Sequence, residues 1–323
     1  MKKKLLFIVN PRSGRGMIKN SLLEIIDIFI KGGYEVITHI TQAPREAEDV
    51  VREHVSDVDA IVCSGGDGTL DEVVDAVMNL RPDMKIGYIP AGSTNDFANS
   101  LGIEKNMVEA ARDIMVDEIY QCDVGSFNMH HFVYVAAFGM FTNVSYETDQ
   151  TLKNTLGHVA YLLEAGKQLL NFQSYHMRIV ADGRLIEGNY TYGMITNSRL
   201  VGGIKGITGH EVDMNDGLFE VTLVHTPTNP VELNEIIQNL LSGSDVGCPL
   251  VDKIKASHLV IESNEELAWT LDGEYGGTYR EAEIQNHHKS LHLFLNRAKT
   301  EHLAVHPIAE NVVMSESQLN DGD

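Results

Sequence analysis

Between residues 59 and 78 the chain reads Asp-Ala-Ile-Val-Cys-Ser-Gly-Gly-Asp-Gly-Thr-Leu-Asp-Glu-Val-Val-Asp-Ala-Val-Met. An apolar run over 60–63 stops at Gly65, Gly66, Asp67 and Gly68, and apolar residues return at Leu70, Val73, Val74 and Val77 with helical spacing. The pattern is strand, tight turn, helix. The glycines remove Cβ atoms where the chain turns and let a ligand approach backbone N–H groups, while the new helix aims its positive N-terminus at the same place. That geometry suits phosphate. Thr69 as N-cap, with Glu72 three residues on, has capping-box spacing and sets the expected helix start. Asp67 is the odd residue. A carboxylate in an anion-binding turn repels bare phosphate, so its presence asks for Mg²⁺ or a reacting hydroxyl beside it.

Two further loops of this kind flank the unit. A buried-type strand over 4–9 runs into Asn10-Pro11-Arg12-Ser13-Gly14-Arg15-Gly16, and a helix follows with apolar residues at Leu22, Leu23, Ile26 and Ile30. Gly32-Gly33 ends that helix, 34–40 alternates as a strand, Thr41-Gln42-Ala43-Pro44 turns, and 46–55 is helical. Beyond the opening unit, 85–89 is a fourth strand, and Pro90-Ala91-Gly92-Ser93-Thr94-Asn95-Asp96-Phe97 enters another helix. Strands alternating with helices over the first ~100 residues predict a doubly wound parallel α/β sheet. Ligands collect at the carboxyl ends of strands in such sheets, and all three loops follow strands.

The second part of the chain changes character. Short β-type runs at 123–125, 132–137, 175–180, 189–196, 218–224 and 259–261, divided by Gly, Asn and Asp, predict a β-rich second domain. Helical insertions interrupt it at 156–170 and 230–241; the first, with Lys153 and Lys167 nearby, suits packing on the sheet or facing a lipid surface. The expected division is a nucleotide-binding α/β domain over 1–122, a β-rich substrate domain over 123–290, a segment over 291–310 that returns to the first domain, and a disordered polar tail over 311–323.

With 323 residues, 43% of them hydrophobic, the chain is long enough to bury the cores of two domains. A net charge of −21 argues against generic nucleic-acid binding, which needs a basic footprint. Cys63, Cys122 and Cys248 stand far apart without a Cys-x-x-Cys pair and read as reduced thiols of a cytoplasmic protein. The lead from Lys2 to Lys4 is basic like that of a signal peptide, but the apolar run behind it stops at Asn10-Pro11 and reads as a strand. No run reaches the ~20 apolar residues of a membrane-spanning helix, so any membrane contact is expected to be peripheral.

No loop has the spacing of a Walker A motif or of the Gly-x-Gly-x-x-Gly dinucleotide fingerprint. Instead Asn10-Pro11-x-Ser13-Gly14, Gly65-Gly66-Asp67-Gly68-Thr69-Leu70-x-Glu72-Val73 and Gly92-Ser93-Thr94-Asn95-Asp96-Phe97-Ala98 resemble, in this order, the nucleotide-binding loops of the soluble diacylglycerol kinase family of lipid kinases. Asp123-Val124-Gly125 fits where that family crosses into its β-sandwich. The Gly-Gly-Asp-Gly element alone is shared with NAD kinases and phosphofructokinase-related folds. The resemblance covers most of the chain and implies ATP-dependent phosphorylation of a lipid hydroxyl in the cleft between two domains, with diacylglycerol to phosphatidic acid as the leading case. Another lipid alcohol, such as phosphatidylglycerol or a sphingoid base, and a non-catalytic nucleotide- or lipid-binding regulator remain as alternatives.

The resemblance further implies ATP and Mg²⁺ as cofactors, a diacylglycerol-like lipid as partner, transient peripheral membrane contact, and a homodimer among the expected assemblies. Its nucleotide-binding set here is Asn10, Pro11, Arg12, Ser13, Gly14, Thr41, Gly65, Gly66, Asp67, Gly68, Thr69, Glu72, Gly92, Ser93, Thr94 and Asn95. Asp213-Met214-Asn215-Asp216-Gly217-Leu218 resembles the family's Mg²⁺ loop, which would give Asp213, Asp216 and the Leu218 carbonyl as metal ligands. By its residues alone the same stretch reads sooner as an Asn-Asp-Gly turn capping the strand over 218–224. Asp272-Gly273-Glu274 looks like the family's general-base position and assigns that role to Glu274, with Asp67 as the second catalytic carboxylate. On composition it is a β-turn with two acids. Phosphoryl transfer asks a protein mainly for positioning and charge neutralisation, with a carboxylate taking the hydroxyl proton. Arg12 and Arg15 are candidates for neutralising the transferred group or are solvated cations; Asp96 and Asp123 complete the charge candidates, Asp96 behind the reacting groups and not as a base.

Two departures stand out. Asp71 occupies a position where the family usually has Asn and adds a negative charge within one helical turn of Asp67. The stretch 202–209 keeps its glycines but lacks the Pro-x-Ala that usually leads into the Mg²⁺ loop. Paired histidines at His130-His131 and His287-His288 have no metal spacing and receive no role.

Overall fold

The computed structural model describes residues 2–139, 173–205, 208, 212–242 and 247–300; the helical insertion expected at 156–170 and the tail expected over 311–323 lie outside them. The first part runs β1 Lys3–Val9, α1 Ile18–Lys31, β2 Tyr34–Ile40, α2 Glu46–His54, β3 Ala60–Gly65, α3 Asp67–Leu80, β4 Lys85–Pro90, α4 Asp96–Ser100 and α5 Met107–Ile114. Its four strands pair in parallel in the order β2-β1-β3-β4. Helices cover both faces, which is why β3 reads as an unbroken apolar run. Successive residues of β1 part to opposite sides: Leu6 and Ile8 enter the core under α2 and α3, and Leu5, Phe7 and Val9 the core under α1 and α5.

Two local expectations are corrected here. Helix α1 buries Ile18, Ile25 and Phe29 and leaves Leu23 and Ile30 exposed, so its inner face is turned from the Leu22, Leu23, Ile26, Ile30 stripe. The helix carries apolar residues nearly all round, and edge-to-face contact of Phe29 with Phe7, 5.4 Å between centroids, selects the face. Helix α3 begins at Asp67, with Gly66 at the N-cap and no side-chain cap. Thr69 is therefore buried within the first turn, where its Oγ1 accepts from Asn10 Nδ2 at 3.0 Å. Glu72 does not reach back to close a capping box. Its carboxylate accepts the N–H of Arg45 at 2.9 Å and of Ala47 at 3.2 Å, and so holds the start of α2.

The second part contains β5 Ile119–Phe127, β6 His130–Phe132, β7 Val135–Gly139, β8 Tyr175–Ala181, β9 Arg184–Thr196, β10 Leu200–Val201, β11 Ile204–Lys205, β12 Phe219–His225, α6 Pro230–Ser242, β13 Val251–Ala256, β14 His258–Leu271, β15 Glu274–Phe294 and a short α7 Arg297–Thr300. It is an antiparallel β-sandwich, as expected. Strands β9 and β14 each pair with both β7 and β8, which folds the sheet around one core. Trp269 fills its centre, with Phe127 at 4.8 Å and Phe138 at 4.9 Å between ring centroids.

Strand β15 ties the two parts together. It leaves a tight turn at Glu274, pairs with β14 and then β5, and ends by pairing His292 and Leu293 in parallel with Lys85 and Ile86 of β4. A bulge between His287 and Leu291 bends it, with Lys289 in the left-handed region. The fully buried carboxylate of Asp123 holds that bulge: Oδ1 accepts Lys289 N–H at 2.7 Å and lies 3.1 Å from His288 Nδ1, and Oδ2 accepts Gly217 N–H at 2.6 Å. Replacing Asp123 with Ala strands two backbone donors, and urea unfolding is expected to show a loss of about 2–4 kcal/mol. A loss indistinguishable from zero would mean that the bulge keeps its shape without the carboxylate.

Candidate active site

The three glycine-bearing loops are joined edge to edge at the carboxyl ends of β1, β3 and β4. Asn10 is fixed by its N–H on Ser64 O at 2.8 Å, and its Oδ1 accepts Arg12 N–H at 3.0 Å. Ser13 Oγ accepts Gly66 N–H at 3.1 Å, and Gly65 O accepts Ala91 N–H at 2.7 Å. Asn95 closes its own loop, accepting Gly92 N–H and donating to Gly92 O, both at 2.9 Å. No side chain fits between the loops. A Cβ on Gly92 would stand 2.6 Å from Gly66 Cα, and one on Gly14, at φ +54°, would overlap Ala91 O.

A cavity of about 290 Å³ opens against this edge, lined by Asn10, Arg12, Ser13, Thr41, Gly66, Gly68, Thr69, Glu72 and Glu274 from the expected set. Pro11, Gly14, Gly65 and Gly92 to Asn95 build the joint behind it and do not line it. Arg12 is exposed at its rim, whereas Arg15 is exposed outside it. Gln42, Ala43 and Pro44 also line the cavity, although the sequence marks them only as a turn. Their place at the carboxyl end of β2, beside that of β1, is the signal that adds them. Thr41 above them is buried, bonded through N–H to Val9 O at 2.9 Å.

The carboxylates differ sharply in surroundings. Asp67 Oδ2 accepts Asp96 N–H at 3.1 Å, while Oδ1 is buried and takes no hydrogen bond among the described residues. Burial pushes this carboxyl up to about 7, and the charges of Asp96 and Asp272 add to the effect against the pull of nearby N–H donors. Asp96, 2% exposed, accepts Gly202 N–H at 2.7 Å and Gly203 N–H at 3.0 Å, and so fastens the β10–β11 hairpin to the start of α4. Glu274 reaches in from the second domain. Its Oε1 would lie 3.8 Å from a Cβ on Gly68, directly over the N-terminus of α3. Asp123 is spent on the β15 bulge and does not line the cavity. Asp213 and Asp216 accept the N–H of Asn215 and Leu218 within their own turn, and Lys255 lies 3.5 Å from Asp216.

Residues 4–127 match the diacylglycerol kinase catalytic domain, and residues 135–291 match the YegS C-terminal NAD kinase beta sandwich-like domain. A diacylglycerol kinase of Bacillus subtilis (strain 168) is 30% identical over 303 residues, which is 93% of this chain and 99% of that protein. One of Staphylococcus carnosus (strain TM300) is 31% identical over 86% of this chain and 90% of its own length. A solved chain from Bacillus anthracis strain Sterne superposes with a TM-score of 0.80 at 26% identity, covering 92% of this chain and 96% of that one. A second, the crystal structure of a diacylglycerol kinase from the same organism, has a TM-score of 0.73 at 23% identity and supports the fold. The α/β domain and the β-sandwich together match lipid kinases over nearly the whole chain. Within that class, the chain belongs to the diacylglycerol kinase family.

The cavity wall at 42–44 is held by Glu46, whose Oε2 accepts Gln42 N–H at 2.6 Å and Ala43 N–H at 2.9 Å and whose Oε1 lies 2.8 Å from His39 Nε2. The bond to His39, followed by these two N–H donors, holds its carboxyl down at about 2 against an ordinary 4.5. A depressed acid stabilises the fold above its ordinary value, and that contribution fades as pH falls through the folded one. Glu46→Gln is therefore expected to melt lower than wild type near neutrality, with the gap closing as pH drops from 4.5 towards 2. A gap that is constant across a pH series of thermal melts would contradict the ionic role.

Proposed function

We propose that this chain transfers the terminal phosphoryl group of ATP to diacylglycerol, forming phosphatidic acid, with Glu274 as general base and Mg²⁺ as the metal. The observation that carries the reading is the meeting of Glu274 and the α3 N-terminus, a proton acceptor over a phosphate-binding turn. The names of the relatives that span nearly the whole chain support the choice of lipid.

Mg²⁺ binds through one or two carboxylates together with substrate phosphates and water, not in a dedicated cage of side chains. Among the described residues no cluster of three or more His, Cys, Asp or Glu stands ready for a metal. The buried, unpartnered Oδ1 of Asp67 fits the sparser arrangement. Asp213, Asp216 and the Leu218 carbonyl belong to the proposal as a further site, where one oxygen of each aspartate is engaged in the local turn and the other oxygen of Asp216 lies 3.5 Å from Lys255. When bound, Mg²⁺ would supply positive charge to offset that of the phosphate oxygens.

The residues of the chain do the rest by position. The free N–H groups of the first turn of α3 and Arg12 receive the nucleotide phosphates, and Asn10 and Thr69 hold the turn's shape through their mutual bond. Glu274 takes the proton of the lipid hydroxyl as its oxygen bonds to phosphorus and the bond to ADP breaks. Among the described residues no helix is long and apolar enough to cross a membrane, and the lipid is proposed to be met by peripheral contact at a membrane surface. A homodimer remains part of the proposal and is read by light scattering.

The test is phosphate transfer from radiolabelled ATP to a panel of diacylglycerol, phosphatidylglycerol and a sphingoid base in mixed micelles. Labelled phosphatidic acid is the expected product. Label on another lipid alone overturns the substrate, and no label despite normal ATP binding overturns the activity. Glu274→Gln is expected to lose on the order of 10²–10⁴ in kcat with ATP affinity retained; an unchanged kcat removes Glu274 from the base position.

A further inference from the structure

Helix α3 presents one face to the second domain. Gly68, Asp71 and Asp75, three and four residues apart, share that face. Gly68 lies under Glu274, and Asp75 Oδ1 accepts His131 N–H at 2.9 Å and lies 2.8 Å from His131 Nδ1. Asp71 lies between them, and the carboxyl group of Asp272, held by the N–H groups of Val133 to Val135 just beyond His131, comes within hydrogen-bonding reach of it.

Two carboxyl groups share a hydrogen bond only if one carries the proton. Asp272 is the poorer proton carrier. It is 4% exposed, and its oxygens already accept three backbone donors: Val133 N–H at 2.6 Å, Tyr134 N–H at 3.0 Å and Val135 N–H at 2.8 Å. A carboxylate that accepts three N–H groups is stabilised as the anion. Among the described residues Asp71 has no comparable set of donors, and its buried Oδ1 takes no hydrogen bond there.

We propose that Asp71 is a neutral carboxylic acid that donates to Asp272 and acts as a positioning residue, fixing the Asp272-Gly273-Glu274 turn over the phosphate-binding end of α3. The inference rests on the reading of Glu274 as general base. Asp272 and Gly273 both have positive φ, at 49° and 87°, so the turn has one shape, and a shift at Asp272 carries Glu274 with it. A neutral Asp71 also spares the phosphate turn another negative charge one helical turn behind Asp67. Burial raises both carboxyls, Asp71 the further because the charge of Asp272 faces it and those of Asp75 and Glu72 stand behind it, while the three N–H donors draw Asp272 back down. Tyr134, Asp67, Asp96 and Glu274 are the further titratable groups near the pair, and His131 stands behind Asp75.

The acid is functional in its neutral form, so activity falls as pH rises far enough to ionise it beside Asp272. The experiment compares wild type, Asp71→Asn and Asp71→Ala in kcat, KM for ATP and pH profile. Asn keeps a donor to Asp272 and cannot ionise. It is expected to retain kcat and to lack the alkaline limb seen in wild type. Ala is expected to lose on the order of 10²-fold in kcat, as a misplaced reacting group does, with KM for ATP nearly unchanged. The infrared difference spectrum of wild type minus Asp71→Asn gives a readout free of activity: the C=O stretch of a protonated carboxylic acid is expected, and only carboxylate bands would overturn the proposal. Asn as impaired as Ala, Ala equal to wild type, or an alkaline limb that persists in Asn would overturn it too. Glu274→Gln is run beside these: full activity there defeats the base reading whatever Asp71 does, whereas an inactive Glu274→Gln with silent Asp71 variants defeats this inference alone.

Discussion

The first two turns of α3 must satisfy opposite electrostatic demands, and much of the structure is arranged around that conflict. On the proposed function the helix N-terminus stays open and positive for a phosphate, yet the same helix carries acids at Asp67, Asp71 and Asp75 against a second domain that brings Asp272 and Glu274. Few cations answer them. Asp272 is met by three N–H groups from the lead into β7, Asp67 by one from the start of α4, and Asp75 by the backbone and ring of His131. Backbone donors do the neutralising because they are short, fixed in direction and already bound to the sheet. A chain with a net charge of −21 can in this way hold a dense acidic interface without a matching set of lysines and arginines.

The same economy explains why the two domains act as one site. Asp96 grips the Gly202-Gly203 hairpin, Asp123 grips the β15 bulge and the 213–218 turn together, and β15 itself passes from Glu274 to the edge of β4. Each of these aspartates is buried with its oxygens occupied by N–H groups from the other part of the chain or from a loop far away in sequence. The carboxylates that look most catalytic in a list of acids are thus of two kinds. Asp96 and Asp123 are saturated and structural in their contacts, whereas Asp67 keeps a buried oxygen that takes no hydrogen bond among the described residues and Glu274 lines the cavity.

What was legible in the sequence was whatever depends on short-range pattern. The alternation of strands and helices, the glycine turns and the change to β-type runs near 120 pointed to the α/β domain and a β-rich second domain, because each rests on periodicity within a single element, whereas the sandwich itself came with the family resemblance. The three loops were legible as a site because they follow consecutive strands of one sheet. Cap geometry was not: Thr69 and Glu72 have capping-box spacing, yet Gly66 turns the chain early enough that Asp67 opens the helix and Glu72 is drawn to α2. The buried face of α1 escaped for a different reason, since a helix apolar nearly all round leaves the choice to Phe7 on a neighbouring strand. Asp71 read as a misplaced charge, and only the approach of Asp272 from the far end of the chain gives that residue a partner. Gln42 to Pro44 became part of the cavity through the position of β2, which no local signal in the turn conveys.

The central claim of the proposed function is that the nucleotide phosphates sit at the α3 turn, beneath the Glu274 turn. Amide hydrogen exchange, followed by mass spectrometry on peptides covering 64–70 and 271–276, reads both turns at once when Mg²⁺ and a non-hydrolysable ATP analogue are added. Slowed exchange at both segments at the same ligand concentration is the expected result. Exchange unchanged at 66–69 while the analogue is demonstrably bound would contradict the claim, because the nucleotide would then lie away from the turn on which the site is built.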